Sequence, residues 1–252
     1  YYEKDMLIPN EFYTERVQFD KVTVPSTWQR TGYREPCYLN TKYEFNAKLY
    51  PGVPQDVPMG IYRKFINIDN LDKVYILTFM GVISSLDLYI NGDFVGYSEG
   101  AHNSAEFNIT KYLHEGENEI VASVSKWSTG TYLECQDMFR ENGIFRDVYI
   151  LARPENHIAD FYVRQTVSKD LSKADITVEL TKNGEFDVQW TLLDPKGACV
   201  ASGCESGNSI DVCVETPALW SDEVPNLYTL QLCANGEYIV SMTALRRIEI
   251  VN

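Results

Sequence analysis

The chain has 252 residues and a formal charge of −14, with 15 basic against 21 acidic side chains through Arg153 and 7 against 15 beyond it. Binding a phosphate backbone needs a basic stripe, so nucleic-acid partners are excluded, whereas a neutral ligand such as a sugar is not. No run of about 18 apolar residues is present, so no membrane-spanning helix is expected, and the length fits one large domain or two modest ones.

The first residues, YYEKDMLIPNEFY, contain no initiator Met, basic n-region or apolar h-region, so no signal peptide is read here. The opening reads as that of a piece excised from a longer protein, for which a cytoplasmic location is expected. Six cysteines (Cys37, Cys135, Cys199, Cys204, Cys213 and Cys233) form no CxxC pair, and only three histidines occur. A zinc site is therefore not expected. The cysteines are expected to be free thiols, since a chain of this size buries a core without staples.

In chain order the signal is β throughout. Val74–Phe79 and Leu86–Ile90 alternate, and Asn91-Gly92 follows. An Asn-Gly between two such runs predicts a tight hairpin, because both turn residues tolerate positive φ. The run ITKYL after Asn108 predicts one helical turn, ending at the turn His114–Glu117. The run NEIVASVSKW then predicts another strand. No window carries a long helical stripe with caps. A second section begins near Arg153-Pro154. Seven short runs follow, from DFYVRQTV through ADITVEL, FDVQWTLLD, ASGC, SIDVCVE and LYTLQLC to YIVSMTALRRIEI. They are spaced by the turn signals Lys182-Asn183-Gly184, Asp194–Gly197 and Asn235-Gly236. Seven such strands predict an immunoglobulin-like sandwich, without the Cys…Trp…Cys pattern of antibody domains.

The segment Lys126–Val148, KWSTGTYLECQDMFRENGIFRDV, fits neither class. It concentrates rings, acids and arginines without a period. Its pattern resembles the signature of the non-catalytic N-terminal region of bacterial β-galactosidases in glycoside hydrolase family 2. VPSTWQRTGYREPCYLN (24–40), GIYRKF (60–65) and LWSDEVPNLYTL (219–230) resemble further motifs of that family, in the family's order. The resemblance covers nearly the whole chain. Departures are Cys135 where the family has Asp, Phe139 where it often has Trp, and Tyr43-Glu44 where Tyr-Pro is common. The family's first strand would precede Tyr1, and its catalytic barrel would begin about where the chain stops.

The resemblance implies an all-β chain: a galactose-binding-like jelly-roll sandwich over 1–153, then an immunoglobulin-like β-sandwich over 154–252. It implies a parent that hydrolyses terminal β-D-galactosides with retention, using two Glu on the barrel. This part alone is then expected to be inactive and to lend one wall of the substrate pocket. The QDM loop brings Asp137 to the substrate, where it accepts hydrogen bonds from galactose hydroxyls and ligates sodium. Asn40 adds an amide to the sugar site. Sodium and magnesium are the cofactors expected in the full-length parent. The expected partners are the β-galactoside and the barrel of the same chain, in a homo-oligomer.

Other readings of the same residues stand beside these. Asp137 could pair with Arg140 or Arg146, which are otherwise scaffolding. Asn40 could be a plain turn residue. Trp127 and Tyr132 could stack a sugar or anchor the loop. Asn108–Thr110 is a glycosylation sequon, for which a helix cap is the alternative. As a whole, the chain could be an independent carbohydrate-binding or adhesion module, or part of a sister enzyme acting on glucuronides or mannosides. The form QDMFR argues against that last reading.

Overall fold

The computed structural model describes residues 18–40, 42–134 and 136–250. The chain divides into two compact units, Tyr1–Ala152 and Arg153–Asn252. The expectation of an all-β chain is borne out: among the described residues, helical content is confined to short 3-10 turns.

Among the described residues, the first unit holds eleven strands. They are β1 (Cys37–Leu39), β2 (Met59–Ile68), β3 (Val74–Phe79), β4 (Val82–Ile83), β5 (Ser85–Ile90), β6 (Asp93–Glu99), β7 (Ala105–Asn108), β8 (Gly116–Ser125), β9 (Met138–Arg140), β10 (Gly143–Ile144) and β11 (Val148–Arg153). A four-stranded sheet runs β2-β8-β5-β6 and a three-stranded sheet runs β11-β3-β7. Leu77 and Phe79 from the smaller sheet meet Leu86, Leu88, Ile120 and Val124 from the larger in one apolar core. The alternation of β5 decides which side chains enter it: Leu86, Leu88 and Ile90 are at most 1% exposed, while Asp87 and Tyr89 face the other way. Gly60 on β2 is needed for close approach, since a Cβ there would stand 2.6 Å from the buried Trp28 ring.

The Asn91-Gly92 hairpin is present, with φ of 51° and 90° at the two turn residues. Asn91 is also bonded sideways: its amide donates to Asn118 and to the Tyr112 carbonyl, and its Oδ1 accepts from the Glu119 N–H. The helical turn after Asn108 is the 3-10 turn Thr110–Tyr112. Asn108 Oδ1 accepts from the Thr110 N–H at 3.1 Å and its hydroxyl at 2.8 Å, so the side chain sets up that turn.

Asp87 is half-buried on β5, and desolvation pushes its carboxyl above the ordinary carboxylate range. A folded-state pKa above the unfolded one means that the folded state holds its proton more tightly. Stability is therefore lost as pH rises through the carboxylate range and regained as pH falls. Asp87→Asn is expected to raise the melting temperature of this chain at pH 7, with the gain shrinking as pH falls toward 4. Thermal melts of both proteins across pH 4–8 check this.

The second unit has the seven predicted strands: β12 (His157–Val167), β13 (Lys173–Asn183), β14 (Val188–Leu193), β15 (Cys199–Glu205), β16 (Ser209–Glu215), β17 (Tyr228–Ala234) and β18 (Glu237–Thr243). They form a β12-β13-β16 sheet and a β15-β14-β17-β18 sheet. Ile176, Val178 and Ile210 from one sheet pack with Trp190, Leu192, Leu230 and Leu232 from the other. The Tyr228 hydroxyl accepts from the Ala218 N–H at 2.8 Å, tying the buried ring to the upstream connection. The final run is shorter than its pattern predicts. Strand pairing stops at Thr243 because Leu245 is drawn fully into the core, and its carbonyl accepts from Trp220 N–H at 2.8 Å. Five cysteines are free thiols; Cys135 lies outside the described residues.

Candidate functional site

The described residues of segment 126–148 form a loop region built on two anchors. The first is the entry segment 24–29, which runs beside 140–144. Ser26 and Trp28 N–H groups donate to the Ile144 and Asn142 carbonyls, both at 2.8 Å. The Gln29 side chain accepts from Asn142 N–H at 3.1 Å, and Thr27 donates to Glu141 at 2.9 Å. These bonds give one physical reason for the VPSTWQ and RENGI motifs to occur together.

The second anchor is a ring cluster. Trp127 and Tyr132 pack with Phe45, at centroid distances of 5.2 and 5.4 Å, and Tyr43 and Tyr50 each lie 5.1 Å from Tyr132. Tyr132 donates to the Gly52 carbonyl, and Tyr43 donates to the Tyr132 carbonyl. Trp127 donates from Nε1 to Glu44 Oε2 at 2.8 Å, and Lys126 Nζ stands 2.6 Å from the same carboxylate. These contacts are those of loop anchors. They also give Glu44 two partners within the loop, Trp127 and Lys126.

Acids and an arginine then fix the loop backbone. Glu134 accepts from the Ala101 N–H at 2.7 Å and Glu99 from the Gly130 N–H at 2.9 Å, so each carboxylate holds the other's segment. Arg140 donates to the carbonyls of Leu39 at 2.7 Å, Glu134 at 3.5 Å and Gln136. Its guanidinium braces three backbone carbonyls. Glu134 faces the Ala101 backbone and Asp137 faces Tyr38, so the two acids serve different contacts.

Strands β1 and β9 form a short antiparallel ribbon with Cys37 opposite Arg140, Tyr38 opposite Phe139 and Leu39 opposite Met138. The ladder ends at Leu39 opposite Met138, and Asn40 and Asp137 follow as bends at that end. The two residues singled out from sequence, 97 positions apart, thus flank one end of the ribbon, both exposed. The Tyr38 hydroxyl donates to Asp137 Oδ1 across the diagonal. That carboxylate pushes the Tyr38 hydroxyl above the ordinary phenol range and keeps it a donor. Sequence reasoning missed this partner, and its only signal is the two-residue spacing of Tyr38 from Asn40.

Asp137 offers a hard oxygen donor, and Oδ1 is already engaged. The arrangement fits a monovalent cation only as one ligand of a shell completed from elsewhere. Among the described residues, no group of three or more His, Cys, Asp or Glu side chains could hold a metal ion. The large cavity of the first unit, about 1160 Å³, lies elsewhere. Its walls include the core faces of Leu77, Phe79 and Ile120, so it is the opened interior of the sandwich, and neither Asp137 nor Asn40 lines it.

The family comparisons match this layout. Residues 1–154 match the family model of the glycosyl hydrolases family 2, sugar binding domain, and residues 156–243 match the model described as glycosyl hydrolases family 2. The chain belongs to glycosyl hydrolase family 2. It is 43% identical to a β-galactosidase of Staphylococcus xylosus over 92% of its own length and 23% of that protein. It is 39% identical to one of Actinobacillus pleuropneumoniae, over 91% and 23%. The chain thus spans about a quarter of these curated relatives. Among solved structures it resembles a β-glucuronidase of an uncultured Clostridium (TM-score 0.68, 23% identity, 77% of this chain and 36% of that one). It also resembles a β-glycosidase of Bacteroides vulgatus (TM-score 0.65, 23% identity, 76% and 26%). At that identity the likeness speaks to fold.

Proposed function

We propose that this chain is the N-terminal, non-catalytic part of a β-galactosidase, and that it contributes one wall of the parent's substrate pocket. The observation that carries the reading is the exposed Asp137–Asn40 pair at the end of a ribbon whose loop is held by Arg140, Glu134, Glu99 and the ring cluster. A carboxylate fixed this way, beside an amide that both donates and accepts, suits sugar hydroxyls. Relatives at 34–43% identity are β-galactosidases, which favours galactosides over glucuronides as the parent's substrates.

When bound, sodium would supply a fixed positive charge that orients a sugar hydroxyl. Asp137 would be this chain's ligand to it, and magnesium would be held outside the described residues. The two catalytic carboxylates are expected in the part of the parent that lies outside these 252 residues, so no turnover is expected from this chain by itself. The parent works in the cytoplasm as a homo-oligomer. The test is an assay of this chain and of the full-length protein on nitrophenyl β-galactoside and nitrophenyl β-glucuronide. Turnover of the galactoside by the full-length protein alone is expected. Turnover by this chain, or a preference of the full-length protein for the glucuronide, contradicts the reading.

A further inference from the structure

The ribbon flanked by Asp137 and Asn40 presents two side chains on one face. Tyr38 and Phe139 share a face, and the Tyr38 hydroxyl's bond to Asp137 brings that carboxylate to the same face. Tyr38 and Phe139 are direct cross-strand partners with ring centroids 5.7 Å apart and planes tilted by 60°. Both are open: Tyr38 is 52% exposed and Phe139 58% exposed. One face therefore reads, from the ribbon's end inward, as an acid and then two aromatic rings. The Tyr38 hydroxyl joins the halves through its bond to Asp137.

We propose that the Tyr38–Phe139 ring pair is the subsite for the leaving group of the β-galactoside. This rests on the reading that Asp137 meets the galactosyl hydroxyls. The rings stand next to Asp137, whose carboxylate accepts from the Tyr38 hydroxyl, so a glycoside held at Asp137 and extending along this face brings its next unit over the rings. Aromatic faces suit the C–H side of a second sugar or the ring of an aryl group. They offer a galactosyl hydroxyl little, because Tyr38's one hydroxyl is already directed at Asp137. The pair is thus placed to select among leaving groups, while Asp137 and Asn40 select the galactosyl unit.

The test uses the full-length parent carrying Phe139→Ala, with Phe139→Tyr as the conservative variant. Free galactose has no leaving group, so its inhibition constant reports the galactosyl site alone. For Phe139→Ala we expect KM for nitrophenyl β-galactoside and for lactose to rise about 3- to 10-fold. The galactose inhibition constant should be unchanged and Phe139→Tyr near wild type. Equal shifts in KM and in galactose inhibition, or no shift in either, would overturn the assignment. So would a lowered melting temperature with unchanged kinetics, since the rings would then be a packing surface for the rest of the parent. In Asp137→Asn the galactose constant itself should rise. If it does not, the galactosyl reading fails on its own, whatever Phe139 does.

Discussion

In the full-length parent, Asp137→Asn is expected to lower kcat/KM for β-galactosides by about two to three orders of magnitude and to weaken the response to sodium. The substitution preserves shape and removes charge. A hydrogen bond to a charged group contributes ~1.5–3 kcal/mol, and two such bonds to galactosyl hydroxyls weakened together reach ~3–4 kcal/mol. Each 1.36 kcal/mol is tenfold in rate. The fold should be untouched, because Asp137 is exposed and the backbone around it is held by Arg140, Glu134 and Glu99. Steady-state kinetics over a sodium series read both effects. Near-normal kinetics would remove Asp137 from the pocket.

The second large effect concerns the loop's foundation. Glu44→Ala is expected to destabilise the first unit by ~3–5 kcal/mol, the usual cost of stranding one member of a buried ion pair. Lys126 and Glu44 side chains are each 12% exposed, and the same carboxylate takes the Trp127 N–H. Alanine leaves a cation and an indole donor without their partner. For a unit of about 150 residues this corresponds to a fall of roughly 6–20 °C in melting temperature. Glu44→Gln should fall less, because it keeps an acceptor for Trp127 while losing the charge. Calorimetry on this chain, with tryptophan fluorescence to follow Trp127, measures both. A melting temperature within a degree of wild type for Glu44→Ala would mean that the pair contributes little to holding the loop.

The features legible in the sequence are those with a local cause. The Asn91-Gly92 hairpin follows from two residues that tolerate positive φ, and the second unit's strands follow from alternation between turn signals. The last strand was over-read because Leu245 continues the apolar pattern after strand pairing has ended, and burial alone draws it inward. The β1–β9 ribbon had no local cause to find. Its strands are three residues each, too short for a period, and their partners lie about 100 positions apart. Asp137 and Asn40 were found through motif resemblance; that they share one end of a ribbon came from the structure. Arg140 was read as scaffolding, and it is. The bond that Glu134 accepts from the Ala101 N–H has no sequence signal. The ring cluster resolves the choice for Trp127 and Tyr132, whose polar atoms are engaged with Glu44 and Gly52.

A crystal structure of the full-length protein with galactose bound is the most direct measurement. The Asp137 carboxylate is expected within hydrogen-bond distance of a galactosyl hydroxyl, with Asn40 beside it. A bound galactose whose contacts all come from other residues, with Asp137 turned to an arginine or to solvent, would contradict the account.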